Sequence, residues 1–156
     1  MIYLEWSIKA SENAISLSQE ARILLGADKF ARAFYLSHMA SEEAAKSILL
    51  SSIHTLSTPE SELSKVESLL RNHGKKIEFA IEMAGSIDKG LATRIKETEN
   101  QLIAHINDLK NNSMYVSLID GNLVYPDKAV KELDIESFVS YGEAIAEFSH
   151  RVLPNK

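Results

Sequence analysis

The chain has no cysteine, and only three prolines, six glycines and one tryptophan among its 156 residues. The missing cysteine excludes a disulfide framework, a thiolate metal site and a cysteine nucleophile, and suits a reducing compartment. Scarce proline and glycine leave few points at which a helix must break. No apolar run reaches the roughly 20 residues that span a bilayer. The opening, MIYLEWSIKASE, has no basic stretch followed by an apolar core and a small-residue cleavage site. A cytoplasmic protein without membrane association is therefore expected. Basic residues are also in deficit, 17 against 22 acidic, for a net charge of -5 and a pI of about 5.5. That argues against a broad basic footprint for nucleic acid. The balance is uneven along the chain: residues 1–64 carry 5 basic and 8 acidic side chains, 65–110 carry 8 and 7, and 111–156 carry 4 and 7. A polyanion, if bound, would favour the middle third.

What the chain does have is helical periodicity, over a length that suits one domain, 1–156. Its most informative stretch is FARAFYLSHMASEEAAKSILLSSI, Phe30 to Ile53, apolar almost all the way round. A helix of that kind is the enclosed member of a bundle. Glu42, Glu43 and Lys46 interrupt it. Moving an ion out of water costs several kcal/mol, whereas an exposed i,i+4 pair returns only about 0.2 to 0.5, so stability alone does not account for them.

In chain order, residues 4–26 read as a first helix with Ile8, Ile15, Leu17, Ala21, Leu24 and Leu25 on the buried side and Gly26 as its stop. Asp28 stands where a cap for the central helix is expected, and the short connection makes the two helices antiparallel neighbours. Ser57-Thr58-Pro59-Glu60 is a restart signal. From it Leu63, Val66, Leu70, His73, Ile77, Ala80, Ala84 and Ile87 keep three-and-four spacing, with Gly74 marking a close approach or a local break. Leu91, Ile95, Leu102, Ile106 and Leu109 give a fourth helix ending near Lys110. MYVSLIDGNLVYP, 114–126, reads as a hairpin or extended loop turning at Asp120-Gly121, with Tyr115, Val116 and Tyr125 expected across the bundle. A helical turn over 128–133 follows. Asp134 then caps a last helix carrying Phe138, Tyr141, Ile145, Phe148 and Val152.

Three spans embed polar groups in this pattern: Glu42-Glu43-x-x-Lys46, His73-x-x-Lys76, and Lys110 to Tyr115. GADKFARAFYLSHMASEEAAKSILL, then HGKK, then LKNNSMYVSLIDGNLVYP, in this order, resembles the AbiV family of abortive infection proteins, within the HEPN group of helical domains. Carried over position by position, the resemblance implies site roles for Glu42, Glu43, Lys46, His73, Lys76, Lys110 and Tyr115. It also implies a cytoplasmic antiphage role, a homodimer and, as in many HEPN domains, metal-independent RNA cleavage. The sequence departs from the nuclease pattern, an arginine followed four to six residues later by a histidine. Its only formal match, Arg32 to His38, spans about 240° of helix and leaves the two side chains about 120° apart. Both read as surface or satisfied residues.

Cleaving RNA without a metal requires a base for the 2′-hydroxyl, an acid for the leaving oxygen and cations on the phosphate. His73 suits the acid or base, Lys76 one turn on suits the phosphate, Glu43 suits orienting His73, and Lys46 adds positive charge. The same residues equally suit a structural charge network between helices. No Glu-x-x-His pair of the kind that builds di-metal centres in helical bundles occurs, so neither metal nor other cofactor is expected. The expected fold is all-α, a HEPN-like bundle of about five helices with a short extended loop or hairpin near residues 113–126. Two functions fit. One is an antiphage effector acting on RNA or the translation apparatus through the Glu/His/Lys cluster. The other is a noncatalytic dimeric interaction module that binds a phage or host protein.

Overall fold

A computed structural model describes residues 2–56, 59–72, 75, 76, 78, 82, 90, 93 and 106–154. The described elements are α1 (Ile2–Gly26), α2 (Phe30–Thr55), α3 (Glu60–Arg71), α4 (Ile106–Asn112), β1 (Ser117–Ile119), β2 (Asn122–Val124), α5 (Pro126–Ala129) and α6 (Ile135–Arg151). The architecture is the expected all-α bundle with one small hairpin. Expectations for Ser57, Thr58, His73, Gly74, Ile77, Ala80, Ala84, Ile87, Leu91, Ile95 and Leu102 lie outside the described residues.

Helix α2 is the enclosed element, with 16 of its 26 residues buried. Helices α1 and α6 pack against it and against each other. The α1–α2 seam corrects the sequence reading. Of the expected set Ala21 is buried, whereas Ile8, Ile15, Leu17, Leu24 and Leu25 are half-buried along the flanks of α1, whose other buried residues are Ser7, Ala10, Ser11, Ala14 and Ser18. Small side chains let two backbones approach until hydroxyls reach the opposite carbonyls. Ser7 Oγ donates to Ser47 O at 2.9 Å and Ser47 Oγ donates to Ser7 O at 2.9 Å. Both hydroxyls are thus buried and satisfied.

The α2–α6 seam is equally close. A methyl group at Gly142 would lie 2.4 Å from Ser37 Oγ and 3.1 Å from Ser37 O. One turn away Ser37 Oγ donates to Phe138 O at 2.7 Å, and the Phe34 and Phe138 rings meet edge to face at 4.9 Å. Outside the core, Arg22 of α1 bridges Glu136 and Glu143 of α6.

Local signals place most element ends. Helix α1 stops at Gly26 as expected, but Asp28 does not cap α2. It adopts the left-handed region at φ 58°, which aspartate tolerates in a tight turn, and Lys29 takes the cap position without a side-chain bond. The long helix expected from residue 60 onward is broken earlier than His73-Gly74. Helix α3 ends at Arg71, and Asn72 is extended with ψ 107°. The chain then turns helical again at Lys75 and Lys76, with Asn72 Oδ1 accepting from Lys75 N at 3.0 Å. At the other end of the chain, Asp134 caps α6 by accepting from Ser137 N at 3.1 Å. Both Ser137 hydrogen bonds, the hydroxyl first, hold its carboxyl below the usual carboxylate range.

The hairpin turns at Asp120-Gly121, where φ is 49° and 78° at successive residues, the paired positive values of the tight turns that join twisted strands. Its sides do not lie across the bundle. Tyr115, Val116 and Tyr125 are 67%, 52% and 61% exposed, which corrects their expected packing. The helical turn after it is α5, beginning at Pro126 rather than 128, because proline's fixed φ suits the first helical position.

Candidate functional site

The site is organised on Glu42. Successive residues on a helix are separated by about 100° around its axis, so Glu42 and Glu43 must point to different surroundings. Glu42 turns inward and is 2% exposed. Its partner one turn back is His38, 4% exposed, whose Nε2 lies 2.8 Å from Glu42 Oε1. With a carboxylate as acceptor, that nitrogen carries the proton. Lys110, from the end of α4, donates to the same oxygen at 3.2 Å. Lys76 Nζ approaches the other oxygen, Oε2, at 3.9 Å, an ion-pair distance. Among the described residues this carboxylate thus gathers a histidine and two lysines, the lysines brought from positions 34 and 68 residues further along.

Glu43 pairs with Lys46 along the outer side of the same helix, and both remain partly exposed, at 17% and 21% of their side chains. The Glu-Glu-x-x-Lys motif is therefore split between an internal anion and a rim pair. Burial holds the Lys76 ammonium below the ordinary lysine value. Glu42 opposes that depression, while Lys46 and Lys110 add to it. Lys76 is 4% exposed, and Glu42, its nearest anion among the described residues, is shared with two other donors.

Of the residues singled out from sequence, the structure brings Glu42, Lys76 and Lys110 together, with Glu43 and Lys46 beside them. Tyr115 is not sealed with them: that side chain is exposed at the base of the hairpin. His73 lies outside the described residues. Sequence reasoning missed His38, although its four-residue spacing to Glu42 along one helix was signal enough. Arg32 is exposed while His38 is sealed, so the only formal nuclease match does not form a common surface. Among the described residues no group of three His, Asp or Glu side chains is disposed to hold a metal ion. A cleft lined by Leu25, Phe30, Val130, Leu133 and Ile135 shares no residue with the cluster.

Chemically, the cluster can hold His38, Lys76 and Lys110 around one carboxylate and keep α2, α4 and the Lys76 turn in register. Its rim, Lys46, Glu43 and Lys110, is what a solvent-borne molecule can touch. No described helix is long and apolar enough to cross a membrane. In comparisons with known proteins, the family model HEPN_AbiV, described as AbiV, matches residues 2–147. No curated protein and no solved structure shows significant similarity to the chain. Matched over nearly its whole length, the chain belongs to the AbiV family of HEPN helical domains and so to the proteins of abortive-infection defence.

Proposed function

We propose that the protein acts in abortive infection by binding rather than by chemistry, as a noncatalytic dimeric helical module in the cytoplasm. Its partner is a phage or host protein, and the Glu42 cluster is a structural lock. The observation that carries this reading is the sealing of Glu42, His38 and Lys76, each 4% exposed or less. A general acid or base must come within hydrogen-bond reach of its substrate, and these groups are occupied with one another. Buried ion clusters contribute little net stability but select one arrangement of helices over others, which is the role a recognition scaffold needs.

A second reading is favoured by the rim. Lys110 and Lys46 keep 16% and 21% of their side chains exposed, next to a cluster in which lysines outnumber the internal carboxylate. Such a rim suits an RNA phosphate, with His73 and Lys76 as the acid-base and phosphate groups of a metal-independent cleavage and Glu43 orienting the histidine.

The test is growth arrest and total RNA integrity in phage-challenged cells expressing wild type, His73→Ala or Lys110→Ala, each checked for unchanged thermal stability. Arrest with intact RNA in all three supports the binding module. RNA fragmentation by wild type that either substitution abolishes overturns it in favour of the catalytic reading.

A further inference from the structure

The cleft away from the Glu42 cluster is formed where the end of α1 and the start of α2 meet the turn between α5 and α6. It encloses about 580 Å³, within the roughly 300–1,000 Å³ over which proteins hold ligands. Its floor is the outer side of a sealed core: Val130 and Ile135 are 1% and 6% exposed and pack in one cluster with Phe34 and Phe138. A close-packed floor of this kind is preformed. Leu25 and Leu133 line the cleft half-buried, and Phe30, the first residue of α2, keeps 43% of its surface open. An aromatic ring left open in a concave apolar site offers a face for stacking or for a cation.

The rim is acidic. Asp127, Asp134 and Glu136 stand around this floor against one cation, Lys131. Lys131 Nζ lies 3.7 Å from a further carboxylate, that of Glu132. Glu136 shares Arg22 with Glu143, and Asp134 is engaged by Ser137. Among the described residues the Asp127 side chain makes no hydrogen bond or ion pair.

We propose that this cleft is where the partner protein docks, and that it takes a segment in which bulky apolar side chains are flanked by lysine or arginine. The apolar side chains lie on Leu25, Phe30 and Leu133, and a flanking cation reaches Asp127. The inference rests on the binding-module reading above and gives that partner a place and a chemistry.

Charge selects this occupant. A helix start ordinarily favours an anion, but at α6 Asp134 already accepts from Ser137 N. Nucleic acid or an anionic lipid surface would meet three carboxylates around the floor, and a second copy would bring its own net charge of -5. A basic segment instead gains an ion pair at Asp127 and a cation–ring contact at Phe30, while its apolar side chains leave water. The negative charge of the whole chain steers the same partner toward it.

The experiment is fluorescence anisotropy with a labelled hexapeptide, leucine and phenylalanine at its centre and two lysines on each side. Two control peptides replace the lysines by glutamates or the central pair by serines. Wild type is expected to bind the first peptide at least about tenfold more tightly than either control, and more weakly as salt rises from about 50 to about 500 mM. Asp127→Lys and Phe30→Ala, both at exposed positions, should each weaken binding about tenfold with circular dichroism unchanged. In heteronuclear NMR spectra of wild type, the amide signals of Phe30, Lys131 and Leu133 should move on titration. In phage-challenged cells, Asp127→Lys should abolish arrest. No binding at about 1 mM, equal binding of all three peptides, unaltered binding by both variants, amide changes confined to other surfaces, or retained arrest overturns the cleft assignment. Each of these leaves the binding-module reading standing, since that reading names no surface. RNA fragmentation abolished by His73→Ala overturns the module reading in a separate assay.

Discussion

His38 Nε2 lies 2.8 Å from Oε1 of Glu42, four residues along the same helix, with both side chains 3% exposed. That contact makes Glu42 the acceptor at the centre of a sealed cluster whose second oxygen faces Lys76 Nζ at 3.9 Å. The energetics follow from which partner is removed.

Replacing Glu42 leaves Lys76 and His38 buried, and Lys110 half-buried, without their common anion. Glu42→Ala should destabilise the protein by about 3–5 kcal/mol, and Glu42→Gln by less, because the amide oxygen still accepts from His38. In urea denaturation, Glu42→Gln combined with Lys76→Met should cost clearly less than the two single changes added together. Strict additivity would mean that the 3.9 Å pair carries no coupling.

Lys76 sets a pH dependence whose sign is opposite to that of a salt-bridged lysine. Burial lowers its folded value below the roughly 10.4 of an unfolded chain, so between the two values the unfolded state binds more protons. Stability from this group is complete above about 10.4 and is lost as pH falls through the depressed folded value. Unfolding free energies of wild type minus Lys76→Met should therefore rise with pH on the alkaline side of neutrality. A flat or falling difference would contradict the burial of the charge.

Gly142→Ala should destabilise, even though alanine is the better helix former by about 1 kcal/mol. The added methyl meets Ser37 Oγ at 2.4 Å and the Ser37 backbone at 3.1 and 3.3 Å, and the hydroxyl is already committed to Phe138 O. Overpacking of this kind costs about 1–3 kcal/mol, enough to reverse the propensity gain. Adding Ser37→Ala removes the nearest atom but not the backbone, so thermal melts should show partial recovery. An increase in melting temperature for Gly142→Ala alone would show that the helices separate freely.

At the other seam, Ser7→Ala should cost about 1 kcal/mol through the lost bond to Ser47 O. Ser7→Leu should cost more, because position 7 is 0% exposed and the seam has no room for a larger side chain. Equal or greater stability for the leucine variant would mean that the close approach is not a packing requirement.

Local chemistry was legible where it acts over one turn. Asp120-Gly121 specifies a tight hairpin turn by allowing positive φ twice, and Asp134 specifies a helix start by offering an acceptor to Ser137 N. Periodicity located α1, α2 and α6 to within a few residues. It misjudged the buried side of α1, because hydrophobic patterning weighs side-chain size, whereas a close seam selects smallness and tolerates serine when each hydroxyl finds a carbonyl. Asn72 was likewise unread as a break, since its effect depends on Lys75 N folding back onto it.

The sequence by itself determined that this is a helical protein and that an enclosed helix carries charges in its middle, while the grouping of Lys76 and Lys110 with them was implied only by the family resemblance. Only the tertiary structure decided that Glu42 rather than Glu43 is the internal anion, that His38 is one of its partners, and that Tyr115 is exposed. The reason is the range of the forces involved. Backbone dihedrals and caps are settled among neighbours in sequence, whereas a carboxylate's partners, and an apolar face left open to water, depend on which distant segments arrive beside it.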